Sequence, residues 1–173
     1  MSFRWEAYLD LAQHLATGPV ALPVPKAEGA EAPPEGEAGE QAKPPAAPPD
    51  PSEAALRTAV SRAYYSAYHL AREYVVRNNL GSVGKLESHQ DVWRALGVAG
   101  GKPRPRQETR IRTEGGILHQ MRKNADYEID PPSWPRRPAT PEARQRQWKE
   151  EANLAVARAG TIRDLLVQLQ TRN

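Results

Sequence analysis

The stretch 52–77, SEAALRTAVSRAYYSAYHLAREYVVR, decides the fold class of this chain of 173 residues. At about 100° per residue its apolar side chains fall within one broad arc, which indicates an amphipathic helix of about seven turns. Ser52 and Glu53 mark its start, because a hydroxyl and a carboxylate there satisfy free backbone N–H groups. The predicted buried arc comprises Leu56, Ala59, Val60, Ala63, Ala67, Leu70, Ala71 and Tyr74.

The opposite side of this helix carries an unusual polar stripe. It combines a guanidinium, a phenol, a hydroxyl and an imidazole, from Arg62, Tyr65, Ser66 and His69. A face that only needs solvation is usually built from Lys, Glu or Gln, which have high helix propensity. The stripe is therefore a candidate for ligand binding.

Four further helices are predicted from apolar residues that recur at steps of three and four. They cover residues 3–16, 88–96, 106–127 and 141–171. Predicted core positions outside the central helix are Trp5, Tyr8, Leu9, Ala12, Leu15, Val92, Trp93, Leu96, Ile111, Ile117, Leu118, Met121, Ala125, Trp148, Ala152, Ala155, Ala159, Ile162, Leu165, Leu166 and Leu169. Residues 97–105 are expected to form a loop. No stretch has convincing strand alternation, so the predicted class is all-α, a bundle of about five helices.

A proline-rich segment separates the first helix from the central one. Residues 18–51 contain ten of the seventeen prolines and almost no apolar side chains after Val24. Proline lacks an N–H and fixes φ, so a disordered or polyproline-like linker is predicted. The chain is thus divided into a first bundle helix at 1–17, an acidic linker at 18–51 and the remaining helices at 52–173.

Charge is distributed unevenly between the linker and the helices. Residues 18–53 carry a net charge of −5 whereas the whole chain carries +3, which leaves +8 for the rest. A basic folded body favours an anionic partner, nucleic acid first. The densest basic cluster, predicted to contact phosphate, comprises Lys102, Arg104, Arg106, Arg110 and Arg112. No glycine-rich phosphate-binding motif occurs.

Several classes of protein are disfavoured by composition. The chain has no cysteine, so it has neither disulfides nor a thiolate metal site. It has no run of 18 apolar residues and no apolar leader, so we expect a soluble cytoplasmic protein without membrane contact. His, Asp and Glu show no ligand-like spacing, so no metal and no cofactor are expected.

The motif SRAYYSAYH at 61–69 resembles the central helix of HEPN domains, which are small all-helical prokaryotic modules. FRWEAYLDLAQHL at 3–15, SHQDVWRAL at 88–96 and LHQMRKNADYEID at 118–130 resemble the family's first, third and fourth helices in the same order. The resemblance covers most of the chain except roughly residues 18–50. It implies an HEPN-like bundle.

The resemblance also implies a range of functions. Many HEPN proteins are metal-independent ribonucleases of toxin–antitoxin, phage-defence or stress systems, and they usually act as homodimers. Their signature is an arginine on the fourth helix followed, after four to six residues, by a histidine. Some pair with a nucleotidyltransferase that modifies a tyrosine near this motif, and Tyr127 is the matching residue.

This chain departs from the signature. Arg122 matches the arginine, but Tyr127 stands at the commonest histidine position, with Asp126 just before it, and no histidine follows His119. A phenol with a pKa near 10 does not readily replace a neutral imidazole. The candidate catalytic residues are therefore Arg122, His119, Asp126 and Tyr127.

Two arrangements of these residues remain open. His119, Arg122 and Asp126 share one stripe and could face Arg62, Tyr65 and His69 across two helices, gathering two imidazoles and two guanidinium groups. Alternatively, Asp126 pairs with Arg122 or Arg62 and only joins helices.

Two readings of His89 also remain open, a residue satisfied near its helix start or a member of the polar centre.

Three functions follow from these alternatives. The first is an HEPN-like module that binds RNA or a nucleotide and acts with a protein partner. The second is a divergent metal-independent endoribonuclease that uses Arg122 with His119 or His69. The third is a non-catalytic scaffold subunit. We predict that the first describes this chain.

Overall fold

The computed structural model describes residues 4–18, 51–80, 86, 88–99, 102–103, 106–127, 134 and 138–171. They form five helices, α1 Glu6–Thr17, α2 Glu53–Arg77, α3 His89–Ala95, α4 Arg106–Tyr127 and α5 Pro141–Gln170. Two short strands, β1 Val98–Ala99 and β2 Lys102–Pro103, pair antiparallel between α3 and α4. The predicted all-helical class and number of helices are confirmed. The two-residue strand pair lies where a plain loop was expected.

Local side chains explain where the helices begin and end. The Ser52 hydroxyl accepts a hydrogen bond from the Ala55 N–H and caps α2. Ser88 and Asp91 form a reciprocal capping box at the start of α3. Thr140 caps α5, whose first residue is a proline that has no N–H to satisfy. Beyond α2, Asn79 has a φ of 51°, a left-handed conformation that ends the helix.

Helix α2 lies at the centre of the bundle, where it contacts α1, α3, α4 and α5. Its predicted arc is buried, apart from Leu70, which is partly buried. The buried side is wider than the sequence predicted, because Tyr64, Ser66, Tyr68 and Val75 are also buried. The assignment of Ser66 to the polar stripe was wrong. Its hydroxyl donates to the Trp5 carbonyl at 3.0 Å, so the start of α1 covers this part of α2.

The other helices bury most of their predicted apolar positions. Ile117 is the exception on α4, where 37% of the residue is exposed. Two polar side chains of α4 are buried instead, those of Glu108 and Asn124, and the Tyr74 hydroxyl donates to Glu108 at 3.0 Å. On α1, Leu9, Ala12 and Ala16 are buried, whereas Trp5, Tyr8 and Leu15 are only partly so.

The predicted linker lies almost wholly outside the described residues, since 19–50 are not described. Helix α1 packs against α2 and α5, as a member of the bundle should. Among the described helices, none combines the length and the apolar character needed to cross a membrane.

Candidate functional site

Three histidines from three helices converge on one side of α2. His69 belongs to α2, His89 is the first residue of α3, and His119 lies on α4. The ring centroids of His89 and His119 are 6.0 Å apart. The Tyr68 ring stacks on His89 at 4.2 Å, and the Tyr64 ring lies 5.5 Å from His119. We call the group formed by His69, His89, His119, Tyr65 and Arg122 the histidine face.

A buried tyrosine fixes the position of His89. The Tyr64 hydroxyl lies 2.7 Å from Nδ1 of His89, a hydrogen-bond distance. Burial raises the pKa of Tyr64, so its phenol stays protonated at neutral pH. This hydrogen bond involves Nδ1 of His89, and Nε2 takes no part in it. Both readings of His89 are therefore met at once: the ring is satisfied near its helix start and also belongs to the polar centre.

The surroundings of the three imidazoles favour their neutral form. Burial is the main reason why the pKa of each histidine is below its ordinary value. Nearby cations lower these pKa values further, namely Arg72 beside His69, Arg122 beside His89, and Lys123 and Arg122 beside His119. A neutral imidazole can donate one hydrogen bond and accept another, and it can take up a proton.

Arg122 brings a permanent positive charge to this centre and forms an ion pair with Asp126. Nε of Arg122 lies 2.5 Å from Oδ2 of Asp126, but its N–H does not point at that oxygen, so the contact is an ion pair without hydrogen-bond alignment. The Ser61 hydroxyl donates to the other oxygen of Asp126, which ties α2 to α4. The Arg122 guanidinium also lies over the Tyr65 ring at 5.6 Å and the Tyr127 ring at 5.5 Å.

The structure thus brings together five of the predicted site residues. Arg122 contacts Tyr65, Asp126 and Tyr127, and His119 joins them through the ring of Tyr64. His69 lies at the edge of this group, 6.4 Å from the Tyr65 ring, with its own ring stacked on Trp5 at 3.5 Å.

Other predicted residues lie away from this group. The Arg62 guanidinium lies over the Tyr8 ring of α1 at 5.0 Å. Arg106 and Arg110 are exposed at the start of α4, and Arg106 is about 20 Å from His119 along the helix at 1.5 Å per residue. Arg104 and the side chain of Lys102 lie outside the described part of the chain.

Two ring partners of the site were not predicted from the sequence. Tyr64 and Tyr68 both contact His89, yet neither was assigned to the polar stripe or to the buried arc. Their spacing of four residues places them on one side of a helix, which was the available signal. Within the described residues, no group of three or more His, Asp or Glu side chains could hold a metal ion.

Comparison with protein-family models, with curated proteins and with solved structures finds no match for this chain. The geometry of the histidine face, together with the sequence resemblance, is therefore the basis for assigning a function.

Proposed function

We propose that this chain is an HEPN-like module that binds single-stranded RNA on the histidine face, of the kind found in bacterial toxin–antitoxin and defence systems. The observation that carries the proposal is the position of Arg122, a guanidinium between two tyrosine rings and beside two neutral imidazoles. The HEPN resemblance of 61–69 and 118–130 supports RNA as the polymer.

The chemistry of this group suits an unpaired nucleotide. Tyr127 is 69% exposed, which offers an aromatic surface for a base to stack on. The adjacent Arg122 supplies a permanent positive charge for a phosphate. Neutral imidazoles can bond a ribose 2′-hydroxyl as donor or as acceptor. The exposed Arg106 and Arg110 add positive charge near the start of the same helix, away from the histidine face.

Binding is favoured over cleavage by the protonation state of the histidines. Cleavage without metal needs a base for the 2′-hydroxyl and an acid for the leaving oxygen. The lowered pKa values favour the imidazoles as bases and disfavour the imidazolium form that would serve as the acid. Tyr127 occupies the position at which the resemblance expects a histidine, and a phenol is a much weaker acid than an imidazolium.

One observation favours ribonuclease activity as the second candidate function. His89 and His119 lie 6.0 Å apart beside Arg122, so a phosphodiester between the two rings would meet two imidazoles and a guanidinium. This reaction would accelerate as the pH falls toward the pKa of one of the rings, which then becomes the acid. A chelator would not inhibit it.

The test of the proposal is RNA binding by the purified chain. Fluorescence anisotropy with a labelled single-stranded oligoribonucleotide would compare the wild type with Arg122→Ala and Tyr127→Ala. We expect Arg122→Ala to weaken binding by about tenfold or more, since a charge-assisted contact contributes about 1.5–3 kcal/mol. The matched control is Arg146→Ala, which removes an exposed cation from α5. Circular dichroism verifies that each variant is folded.

Each outcome has a definite reading. Equal loss in the Arg122 and Arg146 variants would contradict a site at the histidine face and indicate only a general charge effect. No binding by the wild type would contradict the proposal and favour the scaffold function. Cleavage of the probe in chelator that is lost in His119→Ala would establish the second candidate.

A further inference from the structure

A groove of about 310 Å³ lies between α3 and α4, next to the histidine face. Helix α3 contributes Gln90 and Arg94 to its walls, and α4 contributes Arg112 and His119. Its base is formed by the edge of Trp93 and by Gly116. Because His119 also contacts the Tyr64 ring, the groove and the histidine face share this imidazole.

The groove exists because one of two adjacent glycines has no neighbour. A Cβ at Gly115 would overlap the Trp93 ring, so this glycine allows α3 to pack on α4. A Cβ at Gly116 would meet no atom within 4 Å. A glycine inside a helix costs about 1 kcal/mol relative to alanine, and helix packing explains this cost only at Gly115. At Gly116 the missing side chain leaves space for a ligand.

The charge of the groove comes from Arg112. Its side chain lies across Gly97, in the turn after α3, where even a Cβ would overlap its Cδ, Nε and one terminal nitrogen. No ion pair joins Arg112 to a carboxylate of the described residues. Arg94, by contrast, shares its charge with Asp91, whose oxygen lies 3.1 Å from the guanidinium. The groove therefore has a net positive charge. The contact with Gly97 positions the Arg112 side chain that carries it.

We propose that this groove binds the phosphate of a ribonucleotide, with Arg112 as its cation and His119 as its link to the histidine face. The inference rests on the proposed function and extends it, because it gives the RNA strand a second subsite beyond Arg122. The volume corresponds to the lower end of ligand pockets, about 300 Å³, which suits one nucleotide unit. The phosphate belongs either to an RNA chain or to a free mononucleotide.

Three variants test the groove and a fourth is a control, and none of the four replaces a residue of the histidine face. Gly116→Leu fills it, because a helical leucine lies over the preceding turn, toward Arg112. Its matched control is Gly160→Leu on α5, where a Cβ also meets no atom within 4 Å. Arg112→Gln removes the cation. Gly97→Ala displaces the flexible Arg112 side chain while keeping its charge.

Two measurements are made on each variant of the full chain. The first is anisotropy with the labelled single-stranded oligoribonucleotide over a range of salt concentrations. We expect Arg112→Gln and Gly116→Leu to weaken binding by about tenfold, the size of one charge-assisted contact. Arg112→Gln should also lower the salt slope by about one. Gly160→Leu should bind like the wild type.

The second measurement is a ¹H–¹⁵N NMR titration with adenosine 5′-monophosphate, read at the Gly116 amide and the His119 ring. We expect shifts at both in the wild type and at neither in Arg112→Gln, which keeps Gly116 and His119 but lacks the cation of the groove.

The outcomes separate this inference from the proposed function. If RNA binding is lost in Arg122→Ala but kept in the groove variants, the groove is not a subsite and the proposed function stands. If the wild type binds no RNA while the mononucleotide shifts Gly116 and His119, the proposed function fails and the groove is a mononucleotide site. If neither ligand binds, both are wrong.

Discussion

Gly115 packs directly against the indole ring of Trp93, and Gly116 faces open space. Trp93 is only 4% exposed, so its ring cannot move aside for an added methyl group. We expect Gly115→Ala to lower the free energy of unfolding by about 1–3 kcal/mol, as overpacking does. Gly116→Ala should raise it by about 0.5–1 kcal/mol, because alanine has the higher helix propensity. Urea unfolding of both variants measures the difference, and equal midpoints would contradict this packing.

At the residue scale, the sequence shows which residues are unusual more readily than it shows which residues they contact. Two adjacent glycines inside a helix, Gly115 and Gly116, are a local signal of close approach, but the approaching Trp93 lies on another helix and has no such signal. Ser66 was misplaced for the same reason. A helical projection of α2 contains no information on α1, whose first turn supplies the carbonyl that the Ser66 hydroxyl bonds.

Asp126 links two elements and also competes for Arg122. It accepts from Ser61 of α2 and pairs with Arg122 of α4. If Arg122 binds phosphate, removal of this carboxylate charge strengthens RNA binding. Asp126→Asn should therefore raise the affinity by up to about fivefold, since a partly exposed ion pair contributes about 1 kcal/mol or less. Anisotropy with the single-stranded probe measures this.

The control for this prediction is Glu53→Gln, which removes a carboxylate that pairs with Arg57 of the same helix. It should change RNA affinity much less than Asp126→Asn does. An unchanged affinity in Asp126→Asn would mean that Asp126 only holds Ser61 of α2 against α4.

At the element scale, helix boundaries were well predicted because their determinants are local. The cap at Ser52 and the proline at the start of α5 need only a few residues of sequence. Burial was less predictable. Ile117 fits the apolar pattern of α4 but lies at the edge of the covered face, whereas Glu108 is buried beside Tyr74. Which side of a helix is covered depends on how its neighbours cross it.

At the scale of the whole molecule, the histidine face is assembled by packing. His119, Arg122 and Asp126 could be placed together from their spacing on one helix. His89 could not, because its position depends on how α3 lies across α2 and α4. That packing is set by the contact between Trp93 and Gly115 and by the hydrogen bond between Tyr64 and His89. Long-range contacts of this kind have no signature in a single sequence.

The three half-buried imidazoles also make the stability of the whole bundle depend on pH. Their pKa values in the folded chain are below the ordinary value of 6.5, first of all because of burial. Between those values and 6.5, the unfolded chain holds more protons, so the free energy of unfolding falls as the pH falls. The full contribution is present above about pH 6.5, and each unit of pKa depression is equivalent to about 1.4 kcal/mol.

Urea unfolding from about pH 7.5 to about pH 5 measures this loss in a range above the ordinary titration of carboxylates. Glu151 works in the opposite direction, since burial raises its pKa and its protonation stabilises the fold at the acidic end. His119→Gln should show a shallower decline than the wild type, because one of the three groups no longer titrates. A free energy of unfolding that is constant or rises as the pH falls from 7 to 6 would mean that the imidazoles are not held neutral by the fold.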